Sequence, residues 1–213
     1  MNKLLLPIAL LLPAISVLGQ YDPKALEILE GMSKKYKAYT TFEASVTYTL
    51  TNDVDGVKDE FKGKIVVKGD KYKLSLEDQE VVNDGTTIWN YITASNEVTI
   101  DNYNPEDNDI NPTRIFDAYK KGYKYLYREE KSEGGVLCDV VDLNPEKRDA
   151  QYYLVRMNIS KKDKTLVSWT MFEKTQNRYK YTITKFTPNV NVSDVFFSFD
   201  AKAHPGVEVI DLR

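Results

Sequence analysis

Residues 40–50 read TTFEASVTYTL. Phe42, Ala44, Val46, Tyr48 and Leu50 fall on one side of an extended chain, and Thr41, Glu43, Ser45, Thr47 and Thr49 on the other. Successive strand side chains point to opposite faces, so this stretch is a strand with one face for a core and one for water. The same period returns in FKGKIVVK (61–68), where Phe61, Ile65 and Val67 align, and in YKLSL (72–76), where Tyr72, Leu74 and Leu76 align. It recurs in VVNDGTTIWNYITASNEVTI (81–100), and between residues 123 and 186 in YKYLYREEK, VLCDVVDL, YYLVRMNIS, TLVSWTMFEK and RYKYTITKF.

Turn signals separate these runs. Asn52–Gly56, Gly69-Asp70, Asp84-Gly85, Gly134-Gly135, Asn144-Pro145 and Gln176-Asn177 are residue types that tolerate tight or left-handed backbone. Together they predict about 10–12 strands in an antiparallel meander, because short connections favour pairing between sequence neighbours.

Two segments carry a helical period instead. In YDPKALEILEGMSKKYKAY (21–39), Asp22 suits the N-cap and Pro23 the first helical position, while Leu26, Leu29, Met32 and Tyr36 form one apolar stripe. In residues 101–122, Asn111 and Pro112 open a second short helix, Ile115, Phe116 and Tyr119 form its stripe, and Gly122 ends it.

The first residues set the compartment. MNKLLLPIALLLPAISVLGQ has Lys3, an apolar run from Leu4 to Leu12 and small residues to Gly19. That is the layout of a secretory signal peptide, with residues 1–19 removed and 20–213 forming one domain. Gln20 rather than cysteine follows Gly19, so this signal supplies no thiol for a lipid anchor, and the expected product is exported and periplasmic. Cys138 is the single cysteine, which excludes an intramolecular disulfide and reads as a buried structural thiol. The formal net charge of −3 lacks the basic field that a phosphate backbone needs, so nucleic acid is not an expected partner.

A long antiparallel sheet must hide its apolar face, and two modest helices cannot cover ten or more strands. The sheet is therefore expected to curl, with its apolar face inward. Alternation leaves open whether the inward side chains pack as a dry core or line a pocket.

The ordered set GKIVVKGDKYKLSL (63–76), DGTTIWNY (84–91) and VFFSFDAKAHPGVEVID (195–211) resembles the LolA-type outer-membrane lipoprotein carrier proteins of Gram-negative bacteria, over almost the whole mature chain. The resemblance implies a mostly β fold with two or three helices: a half-open antiparallel β-barrel, closed by a helical lid around an apolar cavity. The implied lipid-binding wall is Phe42, Val46, Tyr48, Leu50, Ile65, Val67, Tyr72, Leu74, Leu76, Val81, Trp89 and Tyr91, and the implied lid is Leu26, Leu29, Met32, Ile115, Phe116 and Tyr119. It implies a monomeric chaperone that shields lipoprotein acyl chains between two membranes. Its implied partners are acylated lipoproteins, an inner-membrane ATP-driven releasing complex and an outer-membrane acceptor.

One block departs from the family pattern. Many members place Arg-Pro after the second strand, where this chain has Lys68-Gly69-Asp70-Lys71. The arginine's role is not carried over, and both lysines read as solvated surface. An alternative on the same fold is a periplasmic carrier or sensor of another lipid, glycolipid or pigment-like. A filled structural or adhesive β-domain is a further one.

Enzymatic chemistry has little to build on. His204 is the only histidine and sits beside Pro205-Gly206, and no Gly-x-Ser-x-Gly, His-Glu-x-x-His or phosphate-cradling glycine loop occurs. No catalytic residue, metal ligand or cofactor is expected.

Overall fold

The computed structural model describes residues 21–104, 113 and 115–213. The expected signal peptide lies outside the described residues, as do Asn111 and Pro112.

Among the described residues one helix, α1 (Pro23–Lys37), precedes the sheet. Asp22 caps it, one carboxylate oxygen accepting from the amides of Lys24 at 2.8 Å and Ala25 at 3.4 Å. The other oxygen accepts from the Tyr127 amide at 3.0 Å, so the cap also ties the helix to the sheet. Lys34, Lys35 and Lys37 in the last turn complement the negative end of the helix dipole.

Twelve strands follow among the described residues. The first six are β1 (Phe42–Asn52), β2 (Val57–Lys68), β3 (Lys71–Leu76), β4 (Gln79–Asn83), β5 (Thr87–Ile92) and β6 (Glu97–Asn102). The rest are β7 (Tyr123–Glu133), β8 (Val136–Pro145), β9 (Tyr152–Ser160), β10 (Leu166–Glu173), β11 (Arg178–Pro188) and β12 (Glu208–Asp211). They form one sheet in the order β12-β6-β5-β4-β3-β2-β1-β11-β10-β9-β8-β7. Two meanders, β1–β6 and β7–β11, are thus joined in the middle by pairing of β1 with β11. The sheet does not close: β7 and β12 are its two edges.

Two expectations are corrected. The pairing is not nearest-neighbour throughout, since β1 and β11 are distant in sequence and β12 runs parallel to β6. The expected second helix is absent among the described residues, where 115–117 are turn and Ala118–Lys120 is a single 3-10 turn. Its stripe nevertheless packs as an apolar cluster, with Ile115, Phe116 and Tyr119 all buried. Side-chain burial holds this segment, so a continuous helical ladder is not required for the same three residues to point inward.

Helix α1 lies on one face of the sheet, called here the inner face. Ile28, Leu29, Met32 and Tyr36 share a cluster with Phe42, Val46, Val67, Val141, Leu143, Val155 and Met157. Gly31 sits mid-helix, where glycine costs about 1 kcal/mol relative to alanine. A Cβ there would lie 3.4 Å from Lys164 Cγ, whose stem crosses the helix on its way to Asp139, 3.2 Å from its ammonium.

The outer face carries a second, smaller core. After β11 the chain crosses it as a strap, residues 189–207, on its way to β12. Parallel pairing needs such a crossover, which explains the direction of β12. The Thr41 hydroxyl donates to the Val190 carbonyl at 2.6 Å, and Asp194 pairs with both Lys68 (2.8 Å) and Lys71 (3.2 Å). These two lysines are therefore fasteners for the strap rather than solvated surface. Phe197, Val82 and Val98 are fully buried there, and Phe199 stacks on His204 with ring planes 9° apart.

Candidate functional site: the open half of the inner face

Direct cross-strand partners share a face, so register assigns every side chain to one side. Starting from Phe42 on the inner face, β2 contributes Phe61, Gly63, Ile65 and Val67, and β3 contributes Tyr72, Leu74 and Leu76. Val81 follows on β4, through its pairing with Leu74. On β5, however, the inner positions are Ile88, Asn90 and Ile92.

Trp89 and Tyr91 are thus on the opposite face to the one expected. Trp89 pairs with Val82 and Ile100, and Tyr91 with Val98, in the outer core. Tyr91 packs against His204 at 4.4 Å and Phe199 at 5.5 Å, beneath the strap. The reason is register parity. Odd residues pair with even ones in all these hairpins, so the inward set alternates parity from strand to strand. Tracing odd-numbered Val81 to odd-numbered Trp89 crosses the sheet.

The remaining expected wall residues divide along each strand. Phe42, Val46, Ile65, Val67 and Tyr72 are buried where α1 and residues 115–119 cover them. Tyr48, Leu50, Leu74, Leu76 and Val81 are half-buried, toward the other end of the sheet. The expected lid residues Leu29, Met32, Ile115, Phe116 and Tyr119 are buried in the core, with Leu26 half-buried beside it. Phe116 stacks on Tyr36 at 3.5 Å between centroids, and the Tyr36 hydroxyl accepts from the Leu166 amide at 3.1 Å. Asp117 holds the 115–120 segment to the helix by accepting from Ser33 and pairing with Lys37 (2.8 Å) and Lys120 (2.7 Å).

Beyond that covered end lies a row of aromatic rings one strand apart. Phe61, Tyr48, Tyr181 and Trp169 are successive direct partners across β2, β1, β11 and β10. Their centroids are 5.7, 5.0 and 4.7 Å apart in turn, and Tyr179 stacks on Tyr48 at 6.0 Å. Leu76 lies over Gly63, where a Cβ would come within 2.6 Å of Leu76 Cδ2. Glycine there lets a leucine lie flat on the sheet and extends the apolar floor. Sequence reasoning missed Trp169, Met171, Tyr179 and Tyr181, although the alternation of TLVSWTMFEK and RYKYTITKF carries all four on one face.

Two carboxylates stand at the rim of the wall: Asp59, the direct partner of Leu50, and Glu173, which accepts from the Tyr179 hydroxyl at 3.4 Å. Burial pushes the Tyr181 phenol up to about 12, with Tyr179 adding to it, and burial together with both neighbouring phenols raises Tyr48. The Trp169 indole N–H is buried without a hydrogen-bond partner among the described residues. Such an orphan donor costs about 1–3 kcal/mol unless something accepts from it. No group of three or more His, Cys, Asp or Glu among the described residues is arranged to hold a metal ion. The arrangement is a largely aromatic surface, with tyrosine hydroxyls along it and carboxylates at its rim.

The chain is similar to known proteins. The family model described as outer membrane lipoprotein carrier protein LolA matches residues 37–200. Among solved structures, an uncharacterized conserved protein from Thermus thermophilus superposes with a TM-score of 0.59 at 11% identity, covering 88% of this chain and 99% of that one. A LolA superfamily protein from Nitrosomonas europaea gives 0.46 at 12% identity, covering 83% and 98%. The lipoprotein LppX of Mycobacterium tuberculosis gives 0.47 at 13% identity, covering 81% and 100%. One curated relative, a protein translocase subunit SecA from Desulforapulum autotrophicum, is 32% identical over 89 residues, so the chain spans about a tenth of that relative's length.

Proposed function

Because the chain belongs to the outer membrane lipoprotein carrier family, we propose that the open half of its inner face shields lipid acyl chains in the periplasm. The observation that carries this reading is the row Phe61, Tyr48, Tyr181 and Trp169, its first ring exposed and the other three half-buried, on which described residues do not close. Each methylene removed from water contributes about 0.8 kcal/mol, so a flat aromatic floor a few rings wide can hold a long chain reversibly. The protein acts as a binding carrier and not as an enzyme.

In the finer form of this reading the cargo is an acylated lipoprotein, received from an inner-membrane releasing complex and handed to an outer-membrane acceptor. A second reading, a carrier of another lipid, is favoured by one feature. The position of the family's arginine holds lysines that are engaged on the outer face with Asp194. They are committed to the strap, so docking and uptake through that position would differ from the general carrier.

The test is displacement of a fluorescent acyl probe, with mass spectrometry of whatever lipid or lipoprotein co-purifies. Leu76→Glu and Tyr179→Glu are expected to weaken acyl binding at least tenfold, since burying a charge costs more than about 1.4 kcal/mol. Thr170→Glu, on the outer face of the same strand as Trp169, leaves it unchanged. Equal affinity in all three folded variants overturns the reading.

A further inference from the structure

Beside the strap, the outer face of β2, β1 and β11 carries threonine and lysine. Lys58, Lys62 and Lys64 are exposed on β2. Register sets Lys62 opposite Thr47, and Lys64 opposite Ser45, whose other partner is the exposed Lys185 of β11. Two carboxylates share these rows: Glu43, paired with Lys64 at 2.8 Å, and Glu60. Lys58, Lys62 and Lys185 form no ion pair among the described residues. This face is therefore positive, in a chain whose formal net charge is −3.

The strap adds an apolar rise at the edge of that face. Its single turn, Asp194–Phe197, buries Phe197 and leaves Val195 and Phe196 79% and 39% exposed. Asp194 fixes the turn over Lys68 and Lys71, and the Lys73 ammonium lies 5.4 Å from the Phe196 centroid. Lys73 pairs with Val66, the next outer position after Lys64 on β2, so the two apolar side chains stand among lysines. Val195 adds little to the outer core, because Phe197 and Val82 are already fully buried.

We infer that this combined surface docks reversibly on the anionic headgroups of a lipid bilayer, with Val195 and Phe196 entering the interfacial layer. Two arguments select a bilayer over a protein. Protein interfaces are depleted in lysine and enriched in arginine, whereas the unpaired cations on this face are all lysines. Their flexible point charges suit a diffuse sheet of phosphates, where no fixed geometry has to be matched. The second argument is the pairing of a basic patch with an apolar wedge. Attachment to a membrane surface grows with buried apolar area and with attraction to anionic lipid, and either alone is weak. Two exposed side chains are too few for lasting insertion, so the contact stays reversible. The docking does not depend on the acyl reading, since the aromatic floor is on the other face of the sheet.

Sedimentation with phosphatidylglycerol against phosphatidylcholine vesicles tests the surface. Binding is expected to be about tenfold or more tighter to the anionic vesicles, and to weaken as salt rises. Lys62→Gln with Lys185→Gln lowers that affinity roughly 25-fold, at about fivefold for each lysine. A polarity-sensitive dye on Val195→Cys shifts to the blue on anionic vesicles, while the same dye on Val54→Cys, in the exposed β1–β2 turn, does not. Cys138 is buried and takes no label.

Equal sedimentation with both vesicles, or of wild type and the lysine variant, overturns the inference. So does a dye shift at Val54→Cys without one at Val195→Cys. Capture of an acidic protein through the same lysines, with no vesicle binding, also overturns it and assigns a protein partner. Leu76→Glu and Tyr179→Glu leave sedimentation unchanged, and the lysine variant leaves acyl-probe affinity unchanged. Failure here and failure of the carrier reading are thereby distinguishable.

Discussion

Trp169 and Tyr181 lie against each other as direct cross-strand partners, their ring planes 8° apart and their centroids 4.7 Å apart. Trp89, the other tryptophan, is on the opposite face of the same sheet. The two indoles therefore report on different surfaces. Trp89→Phe leaves an emission change when an acyl ligand is added, and Trp169→Phe abolishes it. A response retained in Trp169→Phe would place the acyl chain elsewhere.

Asp194 joins the strap to Lys68 and Lys71, and Phe197 anchors it in the outer core. Asp194→Asn is expected to speed hydrogen exchange in the strap and at β12, without altering acyl affinity. Phe197→Ala leaves a cavity under the strap and costs about 3–5 kcal/mol in urea denaturation.

Asp117 connects the 115–120 segment to α1. Burial alone would raise its carboxyl, but hydrogen bonds from Lys120, Lys37 and Ser33 outweigh this and hold it near about 2, below the usual 3.8. A depressed carboxylate stabilises the fold fully above its unfolded value, and that contribution is lost as pH falls through the folded one. Wild-type stability should therefore decline between about pH 4 and pH 2 more steeply than that of Asp117→Asn. Denaturation midpoints collected across that window check it.

Gly31 has open van der Waals distance to Lys164, its added Cβ meeting Cγ at 3.4 Å. Gly31→Ala is expected to raise stability by about 0.5–1 kcal/mol through helix propensity. Gly31→Leu drives Lys164 from Asp139 and lowers stability. Paired urea curves decide between a spacer glycine and a merely tolerated one.

The two faces differ in how far they were legible. Within β1, alternation of Phe42, Val46 and Tyr48 read correctly because every neighbour on one strand obeys one period. Across the Asp84–Thr86 turn it failed for Trp89 and Tyr91, because turn length sets parity and the apolar pattern there runs on both faces. Val82, Trp89, Tyr91 and Val98 are all apolar or aromatic, and an outer face looks like a core face when a strap covers it. The stripe Ile115, Phe116 and Tyr119 was legible as buried but not as non-helical, since successive turns and a short 3-10 turn bury the same three residues that a helical stripe would.

By itself, the sequence determined the strand periods, the turns between them, the capped first helix and which side chains within a strand travel together. Those are local consequences of backbone geometry. Only the tertiary structure decided that β1 meets β11, that the strap covers the outer face, and that the helix shields one half of the inner face while the aromatic row stays half open. Burial of a face depends on which distant segment lands on it, and alternation carries no record of that partner.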